Sequence, residues 1–274
     1  RREGEDCRRG TTIARAGARV DAGLVALLAA CGVAEVDVHG APRVALVVTG
    51  DEVRPLSGRA LGPHAVFDAH SSFLRAALRE FGIDPVLVAR SRDRAAALRA
   101  AIGRALDRAD LVLVTGGVSM GERDLVRPVL ESLGVETIFR GVSQKPGKPL
   151  YFGARDRALV FGLPGNPVST VVCYCEYVRP CIARMMGIRE RGGTRTAELD
   201  GDGLAPLPRQ TRFVRGTIRR RSGTWTVRPV IPEGSHRYGP FRESDCLIAL
   251  PPGAPTKIRS RARVTIHPFP WKKP

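Results

Sequence analysis

The period of the hydrophobic positions changes twice along this chain. Residues 1–40 hold one helical run, Ala22–Cys31, closed by Gly32 as a C-cap, and one alternating stretch, Val33–Val38, that reads as a strand. From Arg43 to Gly187 strands and helices alternate. Val44–Val48, Pro85–Ala89, Leu111–Val114 and Leu159–Leu163 are short apolar runs of the kind buried strands carry. Between and after them lie helical patterns at Ser71–Phe81, Ala95–Asp107, Asp124–Leu133 and Val168–Met186. Such alternation predicts an α/β fold, a mostly parallel, doubly wound sheet with helices on both faces. Beyond Gly187 the helical period is lost. Residues 188–210, rich in Gly, Arg and Pro, read as a linker. Arg212–Arg219 and Thr224–Val230 alternate around Ser222-Gly223, a hairpin signature, and Cys246–Leu250 and Arg263–His267 add two more strands. The expected layout is an α/β domain over 41–187, a linker over 188–210 and a small all-β, barrel-like domain over 211–270.

Composition narrows the function classes. The 274 residues are 43% hydrophobic, too apolar for a disordered chain, and no run of eighteen apolar residues exists to cross a membrane. The net charge of +17 invites a nucleic-acid reading. Only five of the 44 basic residues are Lys, however, and the Arg are scattered, with one short run at Arg219–Arg221. That pattern reads as compositional drift, so nucleic acid is not an expected partner. The six Cys form no C-x-x-C pair and have no His at zinc-finger spacing, which fits reduced thiols in a cytoplasmic protein. No apolar leader opens the chain, and it lacks an initial Met, so it is expected to start inside a longer protein.

The candidate chemistry lies in the segments that follow strands, where doubly wound sheets bind ligands. Thr49-Gly50-Asp51-Glu52 places two carboxylates at a strand end, fit to hold a metal or orient a water, or simply to cap a turn. Gly116-Gly117-Val-Ser119-Met-Gly121-Glu-Arg-Asp124 is a Gly-rich loop leading into a helix, a natural phosphate cradle; Asp124 is ligand or N-cap. It is neither a Walker loop nor a dinucleotide fingerprint. Lys145-Pro-Gly-Lys148-Pro holds two of the five Lys, compact charges suited to an oxyanion. Leu163-Pro164-Gly165-Asn166-Pro167-Val-Ser169 again joins strand to helix, with Asn166 as polar contact or N-cap. In the β domain, Gly234-Ser235-His236 is the segment richest in polar donors.

These loops, in this order and at these spacings, resemble the molybdopterin molybdenumtransferase family, the bacterial MoeA type shared with the gephyrin E domain. The resemblance covers essentially the whole chain. It implies molybdenum cofactor synthesis: adenylylated molybdopterin and molybdate as substrates, AMP as product and Mg2+ as the metal. It implies catalytic roles for Glu52, Asp93 and Asp124, with metal at Glu52 and Asp124. It places the pterin phosphate on Gly116, Gly117, Ser119, Gly121, Pro164, Gly165 and Asn166, and molybdate on Lys145, Lys148, Ser169 and Ser235. It also implies a homodimer, and molybdopterin adenylyltransferase as a partner.

Three features depart from the family pattern. Asp93-Arg94 stands where the family usually has Asp-Asp, and Ser244-Asp245 where it usually has Ala-Asn. Residues 1–40 match only the end of a long N-terminal region, a remnant of the family's elongated domain. Two other readings compete. An adenylyltransferase shares the sheet domain but would stop near Gly187, so residues 212–270 argue against it. A non-catalytic scaffold is the other.

Overall fold

The computed structural model describes all residues except 1, 3, 58, 59, 119–123, 189–192, 202, 222, 232, 255, 273 and 274. In chain order the elements are α1 (Ala22–Ala30), β1 (Val44–Thr49), β2 (Val53–Arg54), β3 (Val66–Phe67), α2 (Ala69–Arg79), β4 (Leu87–Ser91), α3 (Ala95–Leu106), β5 (Leu111–Thr115) and α4 (Val126–Ser132). Then come β6 (Glu136–Arg140), β7 (Gln144–Lys145), β8 (Tyr151–Arg155), β9 (Ala158–Leu163), α5 (Pro167–Cys173) and α6 (Arg179–Met185). The second half adds β10 (Arg195–Leu199), β11 (Thr211–Arg221), β12 (Thr224–Pro229), β13 (Cys246–Leu250) and β14 (Arg263–Pro268).

The first large sheet runs β4-β1-β5-β9-β8-β6. Its first four strands are parallel, and β8 and β6 close one edge antiparallel. Alternation within single strands explains its burial on both faces. Val44 and Leu46 of β1 and Leu111 and Leu113 of β5 pack against α2, α5 and α6 through Leu74, Leu78, Cys173 and Ile182. Ala45 and Val47, with Val112 and Val114, pack the other way against Leu98, Ile102, Val126 and Leu130 of α3 and α4. A strand sandwiched between two helical layers must be apolar at every position, which is why β1 reads as an unbroken run.

The second sheet is a closed barrel. The order β12-β10-β14-β13-β11 returns to β12 through the β11–β12 pairing, and β7 is appended to β11. Val214, Val227, Ile248, Leu250, Val264 and Ile266 fill its interior. A fourth apolar cluster joins the two units: Val168, Val171 and Val172 of α5 meet Leu247 and Phe269, and Phe269 stacks on Trp271 at 5.0 Å. Trp271 in turn meets Phe73 of α2 edge-on at 5.6 Å.

The structure corrects four sequence expectations. Residues 33–38 form no strand; Val36 and Val38 are exposed with no partner strand, and alternation without a neighbour cannot make a sheet. The expected linker at 188–210 contains β10, whose Ala197 and Leu199 face the barrel core. The helix expected from Asp124 begins at Val126. The long helix expected over Val168–Met186 is interrupted by a π-helical turn, Tyr174–Val178.

Candidate functional site

Strand register brings four loops to one edge. Thr49 is level with Ser91, Val48 with Thr115, and Thr115 with Leu163, so the carboxyl ends of β4, β1, β5 and β9 align. The chain crosses from β4 on one side of β1 to β5 on the other, which makes the β1/β5 seam the switch point where the fold opens a crevice. The Thr49 hydroxyl donates to the Thr115 carbonyl at 3.1 Å across that seam.

The cradle loop follows β5. Gly116 and Gly117 have φ of 84° and 62°, a conformation that favours glycine. A Cβ on Gly116 would stand 2.7 Å from the Thr49 hydroxyl, and one on Gly117 2.8 Å from Val126. The Gly116 N–H donates to the Leu163 carbonyl at 3.0 Å, and Gly165 lies against the Gly116 Cα, so this loop and the Pro164-Gly165-Asn166 loop form one surface. The Pro164 carbonyl accepts from the Thr170 hydroxyl. Asn166 occupies the cap position of α5 in extended conformation, and its side chain makes no capping bond, which leaves its amide available to a ligand. Ser119 and Gly121 lie outside the described residues.

The acidic residues fall into two sets. After β1, the Asp51 carboxylate accepts from the Asp93 N–H at 3.4 Å, while the Glu52 carboxylate folds back over Gly50. Burial pushes the Asp93 carboxyl up, and the Asp51 and Glu52 charges add to the shift; its backbone contact to Asp51 opposes it. Asp124 stands after the cradle. Its side chain is only 7% exposed and faces Arg140 at 3.5 Å. Burial pushes it up too, against the amide and charge of Arg127 and the charge of Arg140. Among the described residues no group of three or more His, Cys, Asp or Glu is arranged to hold a metal.

Beside the first acidic set lies a cleft of about 530 Å³ lined by Gly50, Asp51, Arg54, Ser91, Arg92 and Arg94, among others. Arg90, also in its wall, is paired with the buried Asp68 at 3.2 Å. The guanidinium groups there make the cleft receptive to phosphate oxygens next to carboxylates.

The Lys loop bridges the two units. Gln144 and Lys145 pair with Thr211 and Arg212 of the barrel, and the Val142 N–H donates to the Lys148 carbonyl at 2.9 Å. Lys145 and Lys148 are exposed, whereas Gly147 is buried at φ 94°, where a Cβ would strike Gln144 and Cys173. That same position is 3.5 Å from the Ser169 carbonyl, and the Val168 N–H donates to the Ser235 carbonyl at 2.9 Å. The start of α5 thus packs against Gly147 of the lysine loop and against the Ser235 backbone. Sequence reasoning missed Arg140, Arg90, Gln144 and Tyr177. Each acts through a partner distant in the chain, and no local spacing marks them.

A half-buried titratable group sits where the two units meet. His70, at the start of α2, has its Nε2 3.5 Å from the Thr170 hydroxyl and its ring edge-on to Tyr238 at 6.4 Å. Burial pulls it below its ordinary 6.5, with Asp68 opposing. The fold therefore holds His70 neutral, and the unfolded chain binds a proton more readily. That contribution is full above about pH 6.5 and is lost as pH falls from there through the folded value. Thermal unfolding between pH 7.5 and 5.5 should show a smaller acid loss in His70→Gln than in the parent; equal slopes would remove His70 from that role.

Comparison with known proteins follows the same division. Residues 45–184 match the model of a probable molybdopterin binding domain, and residues 201–269 that of the MoeA C-terminal region, domain IV. A molybdopterin molybdenumtransferase of Haemophilus influenzae is 32% identical over 271 residues, 98% of this chain and 66% of its own length. The Bacillus subtilis molybdopterin molybdenumtransferase is 31% identical across 91% of this chain and 58% of its own. The solved MoeA molybdopterin biosynthesis protein of Pyrococcus horikoshii superposes with a TM-score of 0.78 at 28% identity, covering 93% of this chain and 61% of that one. The chain thus spans less than two thirds of the length of these relatives. With the sheet domain and the barrel both matched, the chain belongs to the molybdopterin molybdenumtransferase family.

Proposed function

We propose that this chain inserts molybdate into adenylylated molybdopterin and releases AMP, as a homodimer in the cytoplasm receiving its substrate from the adenylyltransferase. The observation that carries this reading is the convergence at the α5 start. A glycine loop for a phosphate and a lysine loop for an oxyanion both pack against the start of α5. Gly116, Gly117, Pro164, Gly165 and Asn166, with Ser119 and Gly121, hold the pterin phosphate in this reading. Lys145, Lys148, Ser169 and Ser235 hold molybdate.

Asp51, Glu52 and Asp93 supply hard oxygen donors next to the arginine-lined cleft. Mg2+ is held by one or two carboxylates plus substrate phosphates, so the absence of a preformed cage among the described residues is compatible with it. When bound there it would polarise a phosphoryl oxygen. Asp124 already has Arg140 as counter-charge, which favours a role in orienting water over one as metal ligand. In this account water attacks the adenylyl phosphorus, the phosphoanhydride bond breaks, AMP leaves with the new oxygen, and Asp124 takes the proton. Replacing a general base typically costs about 10²–10⁴ in rate. Asp124→Asn should accordingly slow AMP release by about 10²-fold at saturating substrate; release at the parent rate would take Asp124 out of the step.

A further inference from the structure

The π-helical turn between α5 and α6 reaches into both halves of the site. Its Tyr177 hydroxyl donates to the Gln144 side-chain carbonyl at 2.6 Å, and its Glu176 carboxylate meets His267 of β14 at 2.9 and 3.0 Å. Gln144 is 2% exposed and has both ends of its amide engaged. Its nitrogen donates to the Pro146 carbonyl at 3.0 Å and lies 3.8 Å from the Cys173 sulfur. The Cys173 thiol in turn contacts the Gly147 carbonyl at 3.5 Å. The two residues between Lys145 and Lys148 are therefore held from below, Pro146 by Gln144 and Gly147 by Cys173. Nothing larger than glycine fits at 147, because a Cβ there would come within 2.6 Å of the Gln144 nitrogen. Burial pushes the Tyr177 hydroxyl up to about 12, so it stays a donor at every physiological pH.

A buried amide satisfied at both ends fixes its neighbours in one arrangement, since releasing either bond leaves an unpaired polar group. Among the described residues the two lysine side chains have no hydrogen-bond or ion-pair partner that would place them. Their spacing is set by the backbone between them. π-Turns recur at functional sites, and this one is pinned on the barrel side by the Glu176–His267 pair.

We propose that Gln144 and Tyr177 are positioning residues for oxyanion binding: Tyr177 fixes Gln144, and Gln144 fixes the Lys145–Lys148 backbone at the spacing a tetrahedral oxyanion requires. The inference rests on the reading of that loop as the molybdate site. It makes the π-turn a determinant of oxyanion affinity.

The test uses the full chain with molybdate alone and tungstate alone as probes. Equilibrium dialysis gives the affinity, steady-state AMP release gives KM and kcat, and thermal unfolding gives the fold control. Tyr177→Phe removes one donor without changing the ring, and Gln144→Met keeps length without an amide. Each should weaken oxyanion binding and raise the molybdate KM about tenfold, equivalent to roughly 1.4 kcal/mol. The kcat at saturating molybdate should stay close to that of the parent, while the thermal midpoint should fall by a few degrees, the cost of one unpaired buried polar group. Dialysis is run well below every midpoint; unchanged affinity in Tyr177→Phe would overturn the proposal, as would a loss of affinity no larger than the unfolded fraction at that temperature accounts for. A parent chain that binds neither oxyanion would overturn the reading of the loop itself, and the two failures are thus distinguishable.

Discussion

Removing both loop lysines, Lys145→Ala with Lys148→Ala, should abolish molybdate-dependent turnover at ordinary molybdate concentrations while leaving the fold intact. Both side chains are exposed and sit on a loop whose backbone bonds, Val142 to Lys148 and β7 to β11, do not involve them. Stability should therefore change by less than about 0.5 kcal/mol, the usual range for surface substitutions. A hydrogen bond to a charged group contributes about 1.5–3 kcal/mol, so two lost together correspond to roughly 10²–10⁴ in kcat/KM for molybdate. Lys148→Arg should recover only part of the loss. The guanidinium is a planar fork, whereas a tetrahedral oxyanion in a loop closed by Pro146 and Pro149 suits a compact charge. Steady-state kinetics against molybdate, with urea unfolding as the control, checks both halves. A double variant within threefold of the parent would remove the loop from oxyanion binding.

The second large effect concerns the cradle. Gly116→Ala should destabilise the chain by about 2–4 kcal/mol and eliminate pterin-phosphate binding. Its φ of 84° costs a residue with a side chain on the order of 1–2 kcal/mol. The new Cβ would also meet the Thr49 hydroxyl at 2.7 Å and its carbonyl at 3.0 Å. Thr49 cannot simply turn away, because its hydroxyl is bonded to the Thr115 carbonyl. Gly82→Ala is the control: φ there is 71°, with nothing within 4 Å of the added atom. It should show only the backbone cost, about 1 kcal/mol. Urea unfolding of the two variants separates conformation from crowding. Equal losses would mean that Thr49 yields and that the seam is softer than its bonding suggests.

Much of the sheet domain was legible because its physics is local. Val44–Thr49 and Leu111–Thr115 are buried on both faces and so are apolar without interruption, and glycine at 116 and 117 marks the turn that follows. The antiparallel edge was not legible. Glu136, Thr137 and Ile138 of β6 are all exposed, and a register shift between Thr137 and Phe139 breaks any alternation. β10 was hidden for a related reason: Arg195 and Thr196 face water, and only Ala197 and Leu199 contribute to the barrel core. The π-turn leaves the apolar spacing of Val168–Met186 intact, so periodicity alone cannot reveal it.

Of the candidate site, the loops alone were legible. Glycines, prolines and rare lysines mark loops in the sequence itself. Pairings such as Arg140 with Asp124, or Tyr177 with Gln144, depend on strands and helices brought together by the fold across 16 and 33 positions. The resemblance added an expectation that spacing could not, namely which of several anion-receptive loops would share a substrate. The structure then placed Asp124 with Arg140, and Asp93 with Asp51 and Glu52, a division that the order of motifs does not contain.

The central claim is that one chain couples phosphate handling at the cradle to oxyanion handling at the lysine loop. It is tested most directly by the molybdenum content of the pterin. Purified chain is incubated with adenylylated molybdopterin and Mg2+, with and without molybdate, and released AMP and pterin-bound molybdenum are quantified in the same sample. The account predicts AMP and pterin-bound molybdenum in equal amounts, both dependent on molybdate and both lost in the double lysine variant. AMP release that ignores molybdate, or pterin that stays free of metal while AMP accumulates, would contradict it.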